Sequence, residues 1–164
     1  MHTRMASDIQ SAPFVPQITR YQSWLAENRG LHFDNYDALW RWSTTEIEAY
    51  WQSIWDYFDI QSPTPHHTVL AENVMPGARW FPGAQLNYAQ QALRHQAEAD
   101  AAGCPAFISD DERGNRRELS WSQLQLQVAA LATHLKTQCI APGDRVVAYL
   151  PNTPEAAVAF LAVH

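Results

Sequence analysis

The chain has 164 residues, of which 46% are hydrophobic and 12% aromatic, so it carries ample apolar surface for a folded core. Seventeen acidic residues against eleven basic ones give a formal net charge of -6, and the basic residues are scattered rather than gathered into a stripe. We therefore do not expect nucleic acid as a partner.

Neither membrane insertion nor secretion is expected. No run of about 18 apolar residues occurs, and residues 1–10 are polar and lack the apolar stretch of a signal peptide. The two cysteines, Cys104 and Cys139, lie far apart and form no CxxC or zinc-ligand spacing. This usage is typical of a reduced cytosolic protein, so we expect a cytoplasmic location and no disulfide.

The first predicted helix follows a proline-containing lead over residues 1–17, which we expect to be flexible. Apolar residues recur at helical spacing from Ile18 to Leu25. Gly30 then stands where a C-cap glycine ends a helix. The pattern predicts a short amphipathic helix.

Capping residues predict two further helices. Asp34 or Asn35 can cap a second short helix that runs through Trp42. Residues 43–46, Ser-Thr-Thr-Glu, form a capping-box pattern that predicts the start of a third. The third helix carries one stripe of bulky side chains, at Ile47, Tyr50, Trp51, Ile54, Trp55 and Phe58. We expect this stripe to pack against another surface; the alternatives are that its aromatic rings stack on a ligand or form a partner surface.

The middle of the chain is rich in proline and glycine. Residues 62–82 are therefore predicted to run as an extended, wrapping arm with few backbone hydrogen bonds of its own. A short helix is predicted over residues 84–96, and the alanine-rich residues 97–103 are expected to form a surface connection. We divide the chain into a helical module, residues 18–96, and a second domain that begins at residue 104.

The second domain begins with a predicted hairpin. Residues 106–108 read as a strand, residues 111–115 as a turn and residues 116–119 as the returning strand. Ser120 can then cap a helix, with Gln123 at the reciprocal position of a capping box.

A further strand and helix follow. Residues 146–150 form a near-continuous apolar run, which predicts a strand covered on both faces. Pro154 stands at a first-turn position of a helix that reaches His164. Strand, helix, strand, helix predicts an α/β fold with a parallel sheet. Because so few parallel strands cannot bury both faces, we expect this domain to be incomplete.

No motif for nucleotide phosphates is present. The sequence contains no GxxxxGK[ST] loop, GxGxxG fingerprint or GxSxG elbow. The one lysine, Lys136, lies late in a predicted helix and reads as a solvated helix-end charge rather than an activated lysine. We therefore assign no catalytic, cofactor-binding or metal-ligating residue.

Two clusters of polar residues invite a functional reading, and we favour a structural one for both. His66 and His67 could be metal ligands, but neighbours in an extended segment point in opposite directions and no third ligand is nearby. Asp110, Asp111 and Glu112 could serve acid–base chemistry, but they fall in a predicted hairpin turn, where acidic residues are commonly solvated.

Several stretches resemble known ligases. Residues 76–89, with Arg-Trp-Phe-Pro-Gly at 79–83, are similar to the segment that closes the N-terminal helical module of acetyl-CoA and acetoacetyl-CoA synthetases. Residues 110–121, followed by 142–146 and 150–156, resemble the opening of the AMP-binding domain of adenylate-forming enzymes. The chain is identified as similar to the acetoacetyl-CoA synthetase family from about residue 21 to its end.

The resemblance implies a fold in which a helical module with a proline-rich wrapping arm precedes the first hairpin and βαβ elements of an adenylate-forming large domain. The module and its arm are then expected to wrap the large domain, with Trp80 and Phe81 as anchors for that packing. The large domain is expected to be truncated here. We therefore expect the chain to pack against the downstream part of the same parent protein.

The resemblance also implies an activity. Acetoacetate and ATP would give an acyl-adenylate and pyrophosphate, and CoA would then displace AMP. ATP, Mg²⁺ and CoA are the implied cofactors of the full-length parent, and none is expected to bind this stretch, because the family's nucleotide loop and catalytic lysine lie downstream of residue 164. The fragment itself is expected to be inactive.

Two alternatives remain open. The chain could be a non-catalytic interaction module or a genetic remnant whose tryptophan-rich face binds another chain. It could also belong to a sibling ligase for acetate or propionate, because the residues of the acyl pocket are not in this stretch.

Overall fold

The computed structural model describes residues 14–164. These residues divide into two compact units. The first contains the described residues up to Ile60 together with His66–Pro82, and the second contains Gln61–Pro65 together with Gly83–His164. No helix of the described residues is both long enough and apolar enough to cross a membrane.

Three helices form the body of the first unit: α1 Gln17–Arg29, α2 Tyr36–Thr45 and α3 Ile47–Tyr57. The predicted end of α1 is confirmed, because Gly30 adopts a left-handed conformation with φ 65° and donates its N–H to the last turn. Asn35 caps α2, accepting a hydrogen bond of 2.9 Å from the N–H of Ala38.

The capping box predicted at residues 43–46 is wrong. Helix α2 continues through this stretch, and its Ser43 and Thr45 hydroxyls donate to the carbonyls of Trp40 and Arg41 at 2.8 and 3.0 Å. Serine and threonine in a last helical turn can reach carbonyls three or four residues back, so these hydroxyls serve the preceding helix. Helix α3 therefore begins without a side-chain cap.

The core of the first unit lies where the three helices meet. Its buried residues are Tyr21 and Leu25 from α1 and Leu39 from α2, and Leu25 is fully buried. Tyr50, Ile54 and Tyr57 of α3 pack against them. The helical stripe of α3 thus supplies part of this core, as its spacing predicts.

The arm forms more backbone hydrogen bonds than predicted. Two short strands, β1 Leu70–Glu72 and β2 Arg79–Trp80, pair in an antiparallel manner. The N–H of His67 donates to the carbonyl of Pro82 at 3.0 Å, and the N–H of Phe81 donates to Val69 at 2.8 Å. Proline lacks an N–H but keeps its carbonyl, so Pro82 can accept in this ladder.

The second unit begins with two short helices, α4 Tyr88–Leu93 and α5 Gln96–Ala101. The single helix predicted over residues 84–96 and the connection predicted over 97–103 are both wrong. Asn87 caps α4 by accepting a 2.7 Å hydrogen bond from the Gln90 N–H. Asp100, in α5, accepts a hydrogen bond from the N–H of Trp121, at the start of the following helix. Composition alone does not indicate that partner.

The hairpin and its following helix are confirmed. Strands β3 Phe107–Asp110 and β4 Arg116–Leu119 pair in register, and α6 spans Trp121–Thr137. The capping box is complete: the Ser120 hydroxyl accepts from the Gln123 N–H at 3.1 Å, and the Gln123 side chain accepts from the Ser120 N–H at 3.0 Å.

The last helix, α7 Pro154–Val163, carries proline at its first turn as predicted. Together α6 and α7 enclose the core of the second unit. Its buried residues are Leu124 and Val128 from α6 and Val158 and Leu161 from α7.

The strand predicted over residues 146–150 does not form, and neither does the parallel sheet. Residues 14–164 contain two sheets of two antiparallel strands each, and none of their strands pairs with this stretch. Val147 and Tyr149 are 90% and 103% exposed. A strand needs a neighbour for its N–H and C=O groups, and the described residues offer none here. The mixed α/β class, with an incomplete second domain, is confirmed.

Candidate functional site

The two histidines singled out as possible metal ligands have separate structural roles. The His66 ring lies 5.0 Å from the Trp55 ring and 5.1 Å from the Phe81 ring, centroid to centroid, and its Nε2 is 2.9 Å from Gln52 Oε1. His67 is exposed. In residues 14–164 no three His, Cys, Asp or Glu side chains are grouped to hold a metal ion.

His66 is one end of a polar chain that crosses the first unit. Gln52 Nε2 donates to Asp56 Oδ1 at 3.0 Å, which fixes the orientation of the amide and makes His66 Nε2 the donor to its oxygen. Asp56 in turn pairs with Arg29 at the end of α1. The arm, α3 and α1 are thereby linked through side chains.

The aromatic stripe of α3 also packs against the arm. Trp51 lies 5.6 Å from Trp80, and Trp55 lies 4.7 Å from Phe81, between ring centroids. Both geometries are favourable for aromatic pairs. Trp80 and Phe81 therefore pack on α3 of their own unit. Their expected role as anchors against the large domain stays a prediction.

The acidic hairpin turn is held together by one carboxylate. Asp111 Oδ1 accepts from the N–H groups of Arg113 and Asn115 at 2.9 and 2.8 Å, and Oδ2 accepts from the Asn115 side chain at 2.8 Å. Hydrogen bonds from Asn115 lower the pKa of Asp111. An ionised acceptor in a turn suits the structural role predicted for it and not that of a proton donor.

An ion pair joins β4 to α7 and was not visible in the sequence. Both Glu155 carboxylate oxygens accept from the guanidinium of Arg117, at 3.0 and 3.1 Å. This pairing is the main cause that lowers the pKa of Glu155 from 4.5 to about 2, with smaller contributions from its own N–H and from Thr153. The same pairing raises the pKa of Arg117. No spacing signal exists for residues 38 positions apart, so only the fold brings them together.

A cavity of about 240 Å³ lies among the three helices of the first unit. Tyr21, Leu39, Trp40, Tyr50, Ile54 and Phe58 contribute to its lining. Burial raises the pKa of Tyr21, whose hydroxyl lies 2.6 Å from that of Ser53. The lining contains no carboxylate, imidazole, amine or thiol, so this cavity can accommodate apolar groups but offers no strong base.

A larger groove of about 440 Å³ lies in the second unit between α6, residues 140–146 and α7. Its walls are mainly apolar, and Lys136, Asp144 and His164 are its ionisable residues. Asp144 accepts from the N–H of Ala141 at 2.8 Å, and His164 Nδ1 lies 2.8 Å from the Phe160 carbonyl. Lys136 is exposed in the last turn of α6, the position predicted for a solvated charge.

Comparison with known proteins assigns both parts of the chain. Residues 36–92 match the family model for the acetyl-coenzyme A synthetase N-terminus, and residues 93–164 match that for AMP-binding enzymes. The two matched regions adjoin and follow the order expected from the sequence resemblance.

Individual relatives point to one group of ligases. An acetoacetyl-coenzyme A synthetase of Rhizobium meliloti is 33% identical over 88% of this chain, and a malonamoyl-CoA synthetase of Penicillium aethiopicum is 33% identical over 93%. The solved acetoacetyl-CoA synthetase from Streptomyces lividans covers 88% of the chain with a TM-score of 0.80 and 45% identity. The chain spans only 21–22% of the length of these proteins.

Proposed function

We propose that the chain forms the N-terminal part of an ATP-dependent acyl-CoA ligase, because it is similar to acetoacetyl-CoA synthetases over most of its length. The observation that carries this proposal is the structural likeness to a solved acetoacetyl-CoA synthetase over most of the chain. The matching order of the two family models supports it.

The proposed reaction has two steps. The carboxylate of acetoacetate attacks the α-phosphorus of ATP, giving acetoacetyl-adenylate and pyrophosphate. The thiol of CoA then attacks the acyl carbon, loses its proton and expels AMP, which leaves acetoacetyl-CoA. Adenylation converts a poor oxygen leaving group into a good one.

The described residues do not fit a site for these cofactors. They contain no Gly-rich phosphate loop and no group of carboxylates placed to hold Mg²⁺. ATP, Mg²⁺ and CoA are therefore proposed to bind the remainder of the parent protein, and the 164-residue chain alone is expected to be inactive. We assign none of its residues a catalytic role.

The proposed contribution of this chain is architectural. Residues 18–96 would form the helical module and residues 104–164 would begin the AMP-binding domain. The boundary between the two family models near residue 92 supports this division, although the compact units divide earlier, at Pro82 and Gly83. The exposed apolar residues 146–150 are proposed to pack against a downstream part of the same parent.

The substrate class follows from two relatives. Acetoacetyl and malonamoyl groups are both short and both carry a carbonyl at the third carbon, so the proposed substrate is a short acid with that carbonyl. Acetoacetate is the first candidate, which would give the parent a role in ketone body and lipid metabolism. A ligase for acetate or propionate, which lack this carbonyl, is the second candidate. The separated reduced cysteines support a cytosolic setting.

The decisive experiment is to read the coding sequence beyond residue 164 and to assay its complete product. We expect conversion of ATP to AMP and pyrophosphate that requires both CoA and acetoacetate, with acetate and propionate much weaker. Equal turnover of acetate would favour the sibling ligase. A product that ends at residue 164, shows no turnover and binds a partner chain would favour the alternative of a non-catalytic interaction module.

A further inference from the structure

Residues 66–82 form a compact hairpin whose backbone bonds are made within itself. The β1–β2 pairing and the bonds from His67 to Pro82 and from Phe81 to Val69 hold its two sides together. An ion pair of 3.0 Å between Arg79 and Glu72 joins the same two sides. We call residues 66–82 the strap.

The residues that flank the strap on either side are also bonded to each other. The Thr64 hydroxyl donates to the Gly83 carbonyl at 2.7 Å. The Ser62 hydroxyl accepts from the Gln85 N–H at 3.0 Å, and its oxygen also lies 3.0 Å from the Gln85 carbonyl. The segments that flank the strap are therefore joined by hydrogen bonds that involve none of α1, α2 and α3.

The strap is attached to α3 by side chains. The observed attachments include the Trp51–Trp80 and Trp55–Phe81 ring pairs and the His66 contacts with Trp55 and Gln52. Val69 of the strap is also buried, at 8% exposed, outside the core of Tyr21, Leu25 and Leu39. Within residues 14–164, no backbone hydrogen bond joins the strap to α1, α2 or α3. The residues that pack on the core of Tyr21, Leu25 and Leu39 also come from outside the strap.

Phe81 is the central attachment. Its backbone has φ 44°, a left-handed conformation that is unfavourable for a bulky residue. Its ring lies against both Trp55 and His66, so the conformation persists because this packing offsets it. The contact that holds the strap down is thus also the contact that maintains its local strain.

We infer that the strap detaches from α3 as a unit while the three helices stay folded. Detachment breaks aromatic contacts and one side-chain hydrogen bond but leaves the helical core and its backbone bonds intact. Regions held by few apolar contacts open at lower free energy than the core. The detached state exposes the Trp51 and Trp55 face of α3.

Trypsin offers a site-resolved test, because Arg79 is the only tryptic site in the strap, whereas Arg20 and Arg41 lie within α1 and α2. Cleavage at each site reports how often that segment opens. A two-stranded hairpin without packing is only marginally stable in water, so detachment also makes Arg79 accessible to the protease. In the 164-residue chain, Phe81→Ala should speed cleavage at Arg79 at least roughly tenfold, since two ring contacts are lost. Rates at Arg20 and Arg41 should not change.

A second pair of variants keeps the test decisive. His66→Ala should speed cleavage at Arg79 several-fold, whereas His67→Ala, at the exposed neighbour, should leave it unchanged. Equal acceleration at Arg79 and Arg41 in His66→Ala would make strap and helices one cooperative unit and overturn the inference. Unchanged cleavage at Arg79 in both Phe81→Ala and His66→Ala would overturn it as well.

Discussion

Substitution of Asp100 tests the tertiary contact that was least expected from the sequence. Asp100 Oδ1 and Oδ2 accept from the backbone N–H groups of Trp121 and Ser122, both at 3.0 Å, and the carboxylate also pairs with the Ser122 hydroxyl. The first N–H groups of a helix have no partner within the helix, and a negative charge beside them is favourable. Asp100 therefore fastens α5 to the start of α6.

The magnitude follows from these contacts. Hydrogen bonds to a charged group contribute about 1.5–3 kcal/mol each when fully desolvated, and loss of an N-cap costs about 1 kcal/mol. Asp100 is only half-buried, and Ser120 still caps α6 in the variant. We therefore expect Asp100→Ala to lower the free energy of unfolding of the second unit by about 2 kcal/mol. Asp100→Asn, which keeps one acceptor, should lose about 1 kcal/mol.

The assay is thermal and urea unfolding with residue-resolved hydrogen exchange over α6. A loss of this size should lower the Tm of the second unit by roughly 10 °C. Glu98→Ala is the matched control, because Glu98 lies on the same helix and its side chain is 85% exposed; it should change stability by less than about 0.5 kcal/mol. Equal effects of both substitutions would refute the role assigned to Asp100.

Two further predictions concern a core residue and an ion pair. Leu25→Ala should lower the free energy of unfolding of the first unit by about 3 kcal/mol in chemical denaturation, because Leu25 is fully buried. Leu126→Ala, at a site 71% exposed in the second unit, should have almost no effect. The pKa of Glu155, measured by NMR titration, should be about 2 and should return toward 4.5 in Arg117→Ala; an unchanged pKa would contradict the pairing. Because folding lowers this pKa, the stabilisation is complete above pH 4.5 and is lost as the pH falls toward 2.

The features that the sequence predicts correctly are those whose partners are close along the chain. Ser120 and Gln123 satisfy each other's N–H groups three positions apart, and Gly30 ends a helix through its own conformation. The hairpin at residues 107–119 also needs only local pairing. Each of these elements is specified by residues that are visible in one short window.

Most of the features that the sequence misses depend on distant partners. Asp100 reads as one polar residue in an alanine-rich stretch until α6 lies beside it. Residues 146–150 have the composition of a buried strand, but composition does not supply a neighbouring strand. Residues 43–46 match a capping box, and the competing acceptors in the preceding turn decide against it. Long-range topology determines the first two outcomes, and competition between local acceptors determines the third.

The two units are interleaved along the chain, and this has a consequence for gene-level dissection. Gln61–Pro65 belongs with Gly83–His164, whereas His66–Pro82 belongs with the helices. No single cut in the coding sequence separates the units, because each cut between residues 60 and 83 removes a piece from one of them. A series of terminal deletions would therefore damage both units instead of removing one domain at a time. Joining Ile60 to His66 by a short linker and ending the chain at Pro82 would keep the whole first unit.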